Sequence, residues 1–415
     1  MTDTLAPTRP ADSAQAPSPV ASLDTLLARL PALAAALGEG AAARELARDL
    51  PFAAFALFKR SGLGTLRIPR HLGGPGGSVQ DLVHVVATLA AADSNVAHAL
   101  RLHYNITESI ALSPPTPFLA KQAERVLGGA LFGGASTELG TPRTGMFTSE
   151  LTPHGAGYRV SGKKFYATGT AFCDYASINV LNPEGVSVTV VVPTDRPGIR
   201  LLDDWDGMGQ RMTASGSLLM DEVEVAADEI AVRGNESLVG RHGSALRQLH
   251  LVTVAAGIVR TVLTEATGYV KTRGRPTAHS PAETASGDVF IQQVIGEVAA
   301  ASHAIDALVA QNAAVLDRSA AAIAAQTPDA DAQVIASTLA TAKTQFVVAR
   351  LALSAAEHMY EAGGASATSR ALNFDRHWRN LRTIFSHNPL LHKARVVGDF
   401  HLNGTTTHLR EGKFF

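Results

Sequence analysis

The segment at 160–169, Val-Ser-Gly-Lys-Lys-Phe-Tyr-Ala-Thr-Gly, combines an aromatic ring and a hydroxyl group with small residues. Tyr166 and Thr168 are two positions apart, so in an extended strand their side chains lie on the same face. The small residues beside them let the backbone approach a planar ligand closely. The same pattern is also typical of an ordinary half-buried strand, and this segment alone does not decide between the two interpretations.

Two further segments place polar or aromatic side chains in turn-forming sequence. Gly-Gly-Ala-Ser-Thr-Glu at 133–138 puts Ser136 and Thr137 in a predicted turn, which these residue types often form without any ligand. The segment 203–217 contains Trp205, one of only two tryptophans. Its indole could border a ligand or could fill an interface between domains.

Imidazole groups occur in two polar segments, Leu-His-Tyr-Asn at 102–105 and Ser-His-Asn-Pro at 386–389. An imidazole can donate a hydrogen bond to a reacting group and remain uncharged near neutral pH, which makes His103 and His387 candidates for catalysis. Because the chain has 15 histidines, a purely structural role is the competing interpretation for both.

Hydrophobic periodicity predicts three successive parts of the chain. Apolar residues recur at spacings of three and four through 23–128, which predicts an N-terminal helical domain. The pattern changes to alternation in 129–233, as at Val188 and Val190, which predicts a central β domain. The helical period returns in 234–415, in long segments that are typical of a helical bundle.

The composition argues against several classes of protein. The formal net charge of −1 argues against bulk electrostatic binding to nucleic acid or to an anionic membrane. The single cysteine, Cys173, cannot form an internal disulfide, and no Cys/His metal pattern appears. Residues 1–22 are rich in Pro, Ala and Ser and predict a disordered tail without the features of a signal peptide. We therefore expect a cytoplasmic location.

The order of these parts, together with the segments 133–138, 160–169 and 375–389, resembles the acyl-CoA dehydrogenase superfamily. The closer resemblance is to its flavin-dependent monooxygenase branch, typified by dibenzothiophene monooxygenase. It extends from about residue 23 to residue 404. It implies an α+β fold with an N-terminal α-helical domain, a central β-barrel-like domain and a C-terminal four-helix bundle, and an assembly that is a homotetramer.

The resemblance also implies roles for individual residues. An aromatic residue of the family lies along the flavin, and a Ser or Thr two residues later bonds the central ring; these roles fall on Tyr166 and Thr168. The cofactor-binding residues implied in this way are Ser136, Thr137, Tyr166, Thr168, Trp205, Arg211, Arg379 and Asn380. The implied catalytic residues are His103, Thr168 and His387. Asn105 and Asn388 are the candidates for binding substrate.

Two departures from the dehydrogenase pattern change the expected reaction. Acyl-CoA oxidation requires a carboxylate base, but the matching position holds Asn388, and an amide cannot act as a base at neutral pH. Some members of the family carry the base on the first bundle helix instead, but here the matching segment 245–264 contains no Asp or Glu. The usual pyrophosphate-binding turn is replaced by Thr-Arg-Gly-Arg-Pro at 272–276. Arg273 and Arg275 suit a terminal phosphate, which favours FMN over FAD, although a solvated helix end would also favour cations.

The resemblance therefore implies a two-component monooxygenase. A separate flavin reductase would supply reduced FMN, and a peroxyflavin formed with oxygen would transfer one oxygen atom to a small substrate. Shielding from water is essential to such chemistry. Sulfur is the favoured target atom; N-hydroxylation of an amine and an acyl-CoA dehydrogenase with a relocated base are the alternatives.

Overall fold

The structure is a computed structural model that describes residues 3–5, 21–143, 145–232 and 234–411. The N-terminal part is helical, with helices α1 Leu23–Gly38, α2 Ala41–Ala47, α3 Phe52–Ser61, α4 Val79–Ala92, α5 Ser94–Ala99, α6 Arg101–Leu112 and α7 Pro117–Leu127. Helix α4 begins where its sequence predicts, because Ser78 and Asp81 form a reciprocal capping box. Its apolar stripe, including Leu82, Val86 and Leu89, is buried.

Part of the segment predicted to be a disordered tail is paired with the β domain. Thr4 forms a β-bridge with Leu202, and the backbone N–H of Leu5 donates to the carbonyl oxygen of Leu201 at 2.8 Å. Residues 3–5 are therefore paired with the β domain, and Ser22 caps helix α1. Residues 1–2 and 6–20 of the predicted tail lie outside the described residues.

The β domain contains two four-stranded sheets. Its strands are β1 Phe132–Ala135, β2 Leu151–His154, β3 Gly157–Lys164, β4 Tyr175–Leu181, β5 Ser187–Pro193, β6 Ile199–Leu201, β7 Leu218–Val225 and β8 Ile230–Val232. One sheet has the order β1-β4-β5-β8 and the other the order β2-β3-β7-β6. Val188 and Val190 are buried as the alternation predicts, but Val191 is buried too. It packs with Ile110 of α6 and Val126 of α7, so helices cover the opposite face of that sheet.

The C-terminal part is a bundle of long helices. Its helices are α8 Leu238–Thr272, α9 Val289–Ala324, α10 Ala330–Gly363, α11 Asp375–Phe385, α12 Leu390–Asn403 and α13 Thr407–Arg410. Helices α8, α9 and α10 pack against one another, and α11 and α12 pack against α10. This architecture confirms the predicted α+β fold class.

Helix α8 is long and apolar enough to cross a membrane by length and composition. Its apolar residues are accounted for by packing, since α4, α9 and α10 all contact it. At the contact with α4, a Cβ added to Gly257 would lie 2.5 Å from the Cβ of Ala90. The absence of that atom lets the two helices approach closely and join the N-terminal helices to the bundle.

Candidate active site

The loop between β6 and β7 connects the β domain to helix α11. The backbone N–H of Gln210 donates to Oδ1 of Asn380 at 2.6 Å. The carbonyl oxygen of Gln210 accepts from Nε1 of Trp205 at 3.0 Å and from the hydroxyl of Thr213 at 2.8 Å. A Cβ added to Gly209 would lie 2.1 Å from the carbonyl oxygen of Arg379, so this close approach requires glycine. The predicted residues Trp205 and Asn380 therefore meet at one point.

Thr168 joins the same group through a chain of hydroxyls. Its Oγ1 is 2.8 Å from Oγ of Ser215, which is 2.6 Å from Oγ1 of Thr213. Thr213 in turn donates to the carbonyl oxygen of Gln210. Thr168 is only partly buried, so its hydroxyl remains accessible to a ligand while its partners fix its position.

Tyr166 has an unusual backbone conformation that exposes its ring. Its φ is +58°, in the left-handed region that costs a residue with a Cβ on the order of 1 kcal/mol. Hydrogen bonds on both sides hold it there, because Phe165 N–H donates to Thr137 O and Ala167 N–H to Gly216 O. The side chain is 50% exposed, and its ring meets the indole of Trp205 edge to face at 6.0 Å between centroids. Two aromatic rings thus face the site together.

The predicted turn residues lie beside this aromatic pair, at the edge of the first sheet. Thr137 forms an isolated bridge with Phe165, next to Tyr166. The hydroxyl of Ser136 accepts a hydrogen bond from Nδ2 of Asn179 on β4. This bond leaves the hydroxyl hydrogen of Ser136 available as a donor.

His103, one of the predicted catalytic residues, contacts backbone groups through both of its ring nitrogens. Its side chain is fully buried, Nε2 lies 2.8 Å from the carbonyl oxygen of Gly64, and Nδ1 accepts from the backbone N–H of Phe132 at 3.3 Å. Burial lowers the pKa of His103 to about 4, so the ring is neutral at pH 7. Both nitrogens are occupied by backbone groups, and none is left for a substrate or a cofactor.

His98, which the sequence interpretation did not single out, contacts the residue that joins Trp205 and Asn380. Its Nδ1 lies 3.1 Å from Oε1 of Gln210, the residue on which Trp205 and Asn380 converge. Burial and the nearby Arg101 guanidinium lower the pKa of His98 well below its usual value. A neutral ring that donates from Nδ1 leaves Nε2 as an acceptor, and among the described residues none donates a hydrogen bond to that atom. The break between α5 and α6 at Leu100 decides which histidine faces the site, and no local sequence signal reveals it.

His387 lies on the loop between α11 and α12, close to the start of α6. Its Nε2 is 3.2 Å from Nη2 of Arg101, so this nitrogen accepts and the proton resides on Nδ1. Part of the ring is accessible to solvent. Desolvation of the rest of the ring and the charge of Arg101 lower the pKa of His387 to about 3. His387 is therefore a neutral residue that can donate from Nδ1.

The two predicted substrate residues both contact helix α8, at adjacent positions. Oδ1 of Asn105 accepts from Nη1 of Arg247 at 3.1 Å. Nδ2 of Asn388 donates to Oε1 of Gln248 at 2.8 Å. Asn388 thus contacts α8 through its amide. The dehydrogenase pattern has its catalytic carboxylate at this position of the sequence.

Arg379 and Arg211 act through a carboxylate and do not point freely at a ligand. Nη1 of Arg379 lies 2.9 Å from Oε1 of Glu45, and Arg211 is 3.5 Å from the same oxygen. Burial would raise the pKa of Glu45, but hydrogen bonds from Arg379 and Asn373 outweigh it and lower the pKa. The two arginines therefore tie α2 to α11 and to the β6–β7 loop, and they position the cofactor site indirectly.

The structure does not bring Arg273 and Arg275 to this site. Both are exposed just beyond the C-terminal end of α8. From His250, which contacts α5, to Arg273 is a length of about 35 Å along the helix at 1.5 Å per residue. No phosphate bound within this chain's site can reach that far.

The described residues can hold a planar flavin. Tyr166 and Trp205 supply apolar ring surface, Thr168 and Ser136 supply hydroxyls, and the Gln210–Asn380 contact fixes the loop around them. Within residues 3–5, 21–143, 145–232 and 234–411, no group of three or more His, Cys, Asp or Glu could hold a metal ion.

Comparison with known proteins agrees with this geometry. The family model for the acyl-CoA dehydrogenase C-terminal domain matches residues 249–390. A probable FMNH2-dependent monooxygenase, SfnC of Pseudomonas putida, is 30% identical over 83% of this chain and 86% of its own length. The protein belongs to the monooxygenase branch of the acyl-CoA dehydrogenase superfamily.

Two solved structures are similar over nearly the whole chain. FMN-bound TdsC from Paenibacillus sp. A11-2 has a TM-score of 0.83 and 28% identity, over 92% of this chain and 98% of its own. The methanesulfinate monooxygenase MsuC from Pseudomonas fluorescens has a TM-score of 0.82 and 26% identity, over 93% of this chain and 97% of its own. The predicted family and fold are confirmed.

Proposed function

We propose that the protein is the oxygenase component of a two-component system that uses reduced FMN and oxygen to oxygenate a small compound at sulfur. Its relatives support the class of reaction, since SfnC is named for FMNH2 and MsuC for methanesulfinate. The observation that carries the proposal is the convergence of Trp205, Asn380 and His98 on Gln210. Thr168 is linked to the same residue through Ser215 and Thr213.

Bound reduced FMN would supply the two electrons that, with oxygen, leave one oxygen atom for the substrate and one for water. Tyr166 and Trp205 would border the ring and exclude water from it. The hydroxyl of Thr168, held through Ser215, would hydrogen-bond the polar edge of the ring.

The two imidazoles have complementary roles in this scheme. His98 presents a lone pair at Nε2, because its Nδ1 is bonded to Gln210. His387 presents a hydrogen at Nδ1, because its Nε2 accepts from Arg101. The lowered pKa values keep both rings neutral at pH 7, so neither protonates an intermediate prematurely.

Acyl-CoA dehydrogenation is disfavoured by the state of the nearby carboxylates. Asn388 occupies the usual base position, and Glu45 is engaged by Arg379 and by Arg211 of the β6–β7 loop. Glu265 of α8 is bonded to His377 and Arg376, and these contacts outweigh the effect of burial and lower its pKa to about 2. A base must be free to accept a proton, and these groups are not.

N-hydroxylation of an amine is the second candidate, and the charges around the site oppose it. A protonated amine is a cation, and Arg101 and Arg247 both lie near His387. Like charges at such a site disfavour binding. An amine substrate would also need an acidic partner, which the contacts of His98 and His387 do not include.

We further propose that the protein is a cytoplasmic homotetramer that receives reduced FMN from a reductase by transient contact or diffusion. Arg273 and Arg275 are too far along α8 to serve this chain's site, so a phosphate role would require a second copy. Val289 and Phe290, at the start of α9, are 63% and 75% exposed, as expected of residues that another copy covers. Light scattering of the purified protein tests the tetramer.

Stopped-flow mixing tests the proposed reaction. Protein and reduced FMN are mixed with oxygen, and flavin reoxidation and hydrogen peroxide are followed together. We expect the protein to bind reduced FMN and to change its reoxidation rate, and the variant Thr168→Val to release more peroxide. Arg318→Gln, an exposed change on α9, is the control. Reoxidation identical to that of free reduced FMN would reject the proposal, as would formation of a 2-enoyl thioester with an artificial acceptor.

A further inference from the structure

The outer edge of strand β6 is paired with the start of the chain. The backbone N–H of Leu5 donates to the carbonyl oxygen of Leu201 at 2.8 Å. Two residues further along, the N–H of Asp203 donates to the carbonyl oxygen of Asp3 at 3.1 Å. Residues 3–5 thus form a short additional strand beside β6, which is otherwise the last strand of its sheet. We call residues 3–5 the N-terminal strand. It satisfies backbone groups that an open sheet edge would leave unpaired.

An apolar side chain adds to this backbone pairing. Leu5 is partly buried and packs against the main hydrophobic core, whereas Asp3 and Thr4 are exposed. Burial of apolar surface stabilises such a contact. The N-terminal strand is therefore held in place by hydrogen bonds on its backbone and by the packing of one leucine.

The N-terminal strand lies where the β6–β7 loop begins, two positions before Trp205. The carboxylate of Asp203 is bound by Arg48, with distances of 2.9 Å to Nη1 and 2.6 Å to Nη2. Nη2 of Arg48 also donates to the carbonyl oxygen of Trp205 at 3.2 Å. Asp203 is thus fixed through its backbone by the N-terminal strand and through its side chain by the residue that follows α2.

The next residue of the loop is tied to β7. Asp204 accepts hydrogen bonds from the backbone N–H and the hydroxyl of Ser217, both at 2.6 Å. A Cβ added to Gly216 would lie 2.1 Å from Oδ1 of Asp204, so the carboxylate occupies space that only glycine leaves free. Trp205 follows directly, and its indole donates to the carbonyl oxygen of Gln210. The position of the indole therefore depends on how the start of the loop is anchored.

We propose that the N-terminal strand is a positioning element of the active site. It fixes the start of the β6–β7 loop and thereby holds the indole of Trp205 against the ring of Tyr166, 6.0 Å away between centroids. The catalytic consequence rests on the proposed function: a displaced indole would admit water to the flavin, and more of the oxygen consumed would appear as hydrogen peroxide. The effect on Trp205 itself is independent of that function.

Proline substitutions test the backbone pairing, because proline has no N–H to donate. Leu5→Pro removes the donor to Leu201. Thr4→Pro does not, since Thr4 and Leu202 form a non-hydrogen-bonded pair, in which the N–H of each residue points away from the other strand. Leu5→Ala keeps the donor and removes most of the side chain, so its effect reports the packing alone.

The fluorescence of Trp205 reports the position of the indole without any flavin. In a Trp378→Phe background it is the only tryptophan. We expect Leu5→Pro to increase acrylamide quenching of Trp205 and to lower the affinity for FMN roughly 3- to 10-fold, as for loss of one hydrogen bond. Thr4→Pro should have a much smaller effect, and Arg318→Gln, exposed on α9, should have none. Quenching and FMN affinity that are the same in Leu5→Pro and Arg318→Gln would overturn the proposal.

A cross-link tests the pairing without removing any contact of the backbone. The side chains of a non-hydrogen-bonded pair are close enough for a disulfide, so Thr4→Cys combined with Leu202→Cys should form one on mild oxidation. The native thiol, Cys173, is buried. Peptide mass mapping identifies the link, and we expect the oxidised double variant to bind FMN at least as tightly as the reduced one. Failure to form the link, or a link that abolishes FMN binding, would contradict the proposal.

The result is distinguishable from failure of the proposed function. Quenching of Trp205 and formation of the cross-link require neither flavin nor oxygen. During reoxidation of reduced FMN, Leu5→Pro should release more hydrogen peroxide than Arg318→Gln. Equal peroxide release from these two variants, with reoxidation altered by both, would reject the role of the N-terminal strand and leave the oxygenase assignment intact. Reoxidation identical to that of free FMN in the wild type would reject the function, and the quenching of Trp205 would still decide the role of the strand.

Discussion

The backbone N–H of Gln210 and the side-chain oxygen of Asn380 lie 2.6 Å apart, and this contact joins the β domain to helix α11. Nδ2 of the same asparagine donates to Ser94 at the start of α5. Asn380 is therefore the point at which three parts of the chain are fixed relative to one another. Gln210 itself has a φ of +50°, so the loop depends on these external partners for its shape.

Replacing Asn380 should weaken flavin binding through this loop. Asn380→Ala leaves the Gln210 N–H without its acceptor, and we expect the affinity for FMN to fall roughly 10-fold, as for loss of a buried hydrogen bond. Fluorescence quenching of FMN measures the change. Asn380→Asp keeps the acceptor oxygen and should lose less. Equal affinities in all three proteins would show that the contact does not shape the flavin site.

Substitutions of the two neighbouring histidines should have different effects. His98→Ala should lower severalfold the fraction of oxygen that reaches product, and the remainder should appear as hydrogen peroxide. The reason is that Nδ1 of His98 is bonded to Gln210, so its Nε2 is the nitrogen that can accept a hydrogen bond from a reacting group. His103→Ala should instead lower stability by about 2 kcal/mol, since two buried backbone groups lose their partner. Peroxide yield and melting temperature, measured on both variants, distinguish the roles. A high peroxide yield in a fully stable His103→Ala would reverse the assignment.

The buried neutral histidines predict a pH dependence of stability. Burial lowers the folded-state pKa of His103 and His250 to about 4, below the ordinary value near 6.5. The unfolded chain therefore binds more protons between these values, and stability falls as pH decreases from about 6.5 to about 4. The excess stability of the wild type over His103→Gln should shrink across this window, as followed by thermal unfolding. A difference that is independent of pH would show that folding does not lower the pKa of His103.

An added carboxylate at position 388 should raise the pKa of His387. Asn388→Asp places a negative charge beside this imidazole, whose pKa is lowered by burial and by the charges of Arg101, Arg247 and Lys393. The new charge opposes the effect of these cations, so the pKa should move back towards its ordinary value. NMR titration of the imidazole in the wild type and in Asn388→Asp measures the change. A pKa that stays the same or falls further would contradict the electrostatic argument.

The sequence by itself determined the order of helical and β parts, because hydrophobic periodicity is a local property of the chain. It also determined that neither usual base position holds a carboxylate, since Asn388 and the carboxylate-free stretch 245–264 can be read from residue types alone. The strand segment with Tyr166 and Thr168, and the helix with Asn380, were located by their motifs. The structure brings all three residues to one site.

The tertiary structure alone decided which polar groups face that site. His103 and His98 are five residues apart, and only the break at Leu100 turns one to the core and the other to Gln210. Arg101 and Arg247 come from helices far apart in sequence, and neither has a local pattern that reveals the other. Charges interact through space and not along the chain, so the cationic character of the site could not be derived from a net charge of −1.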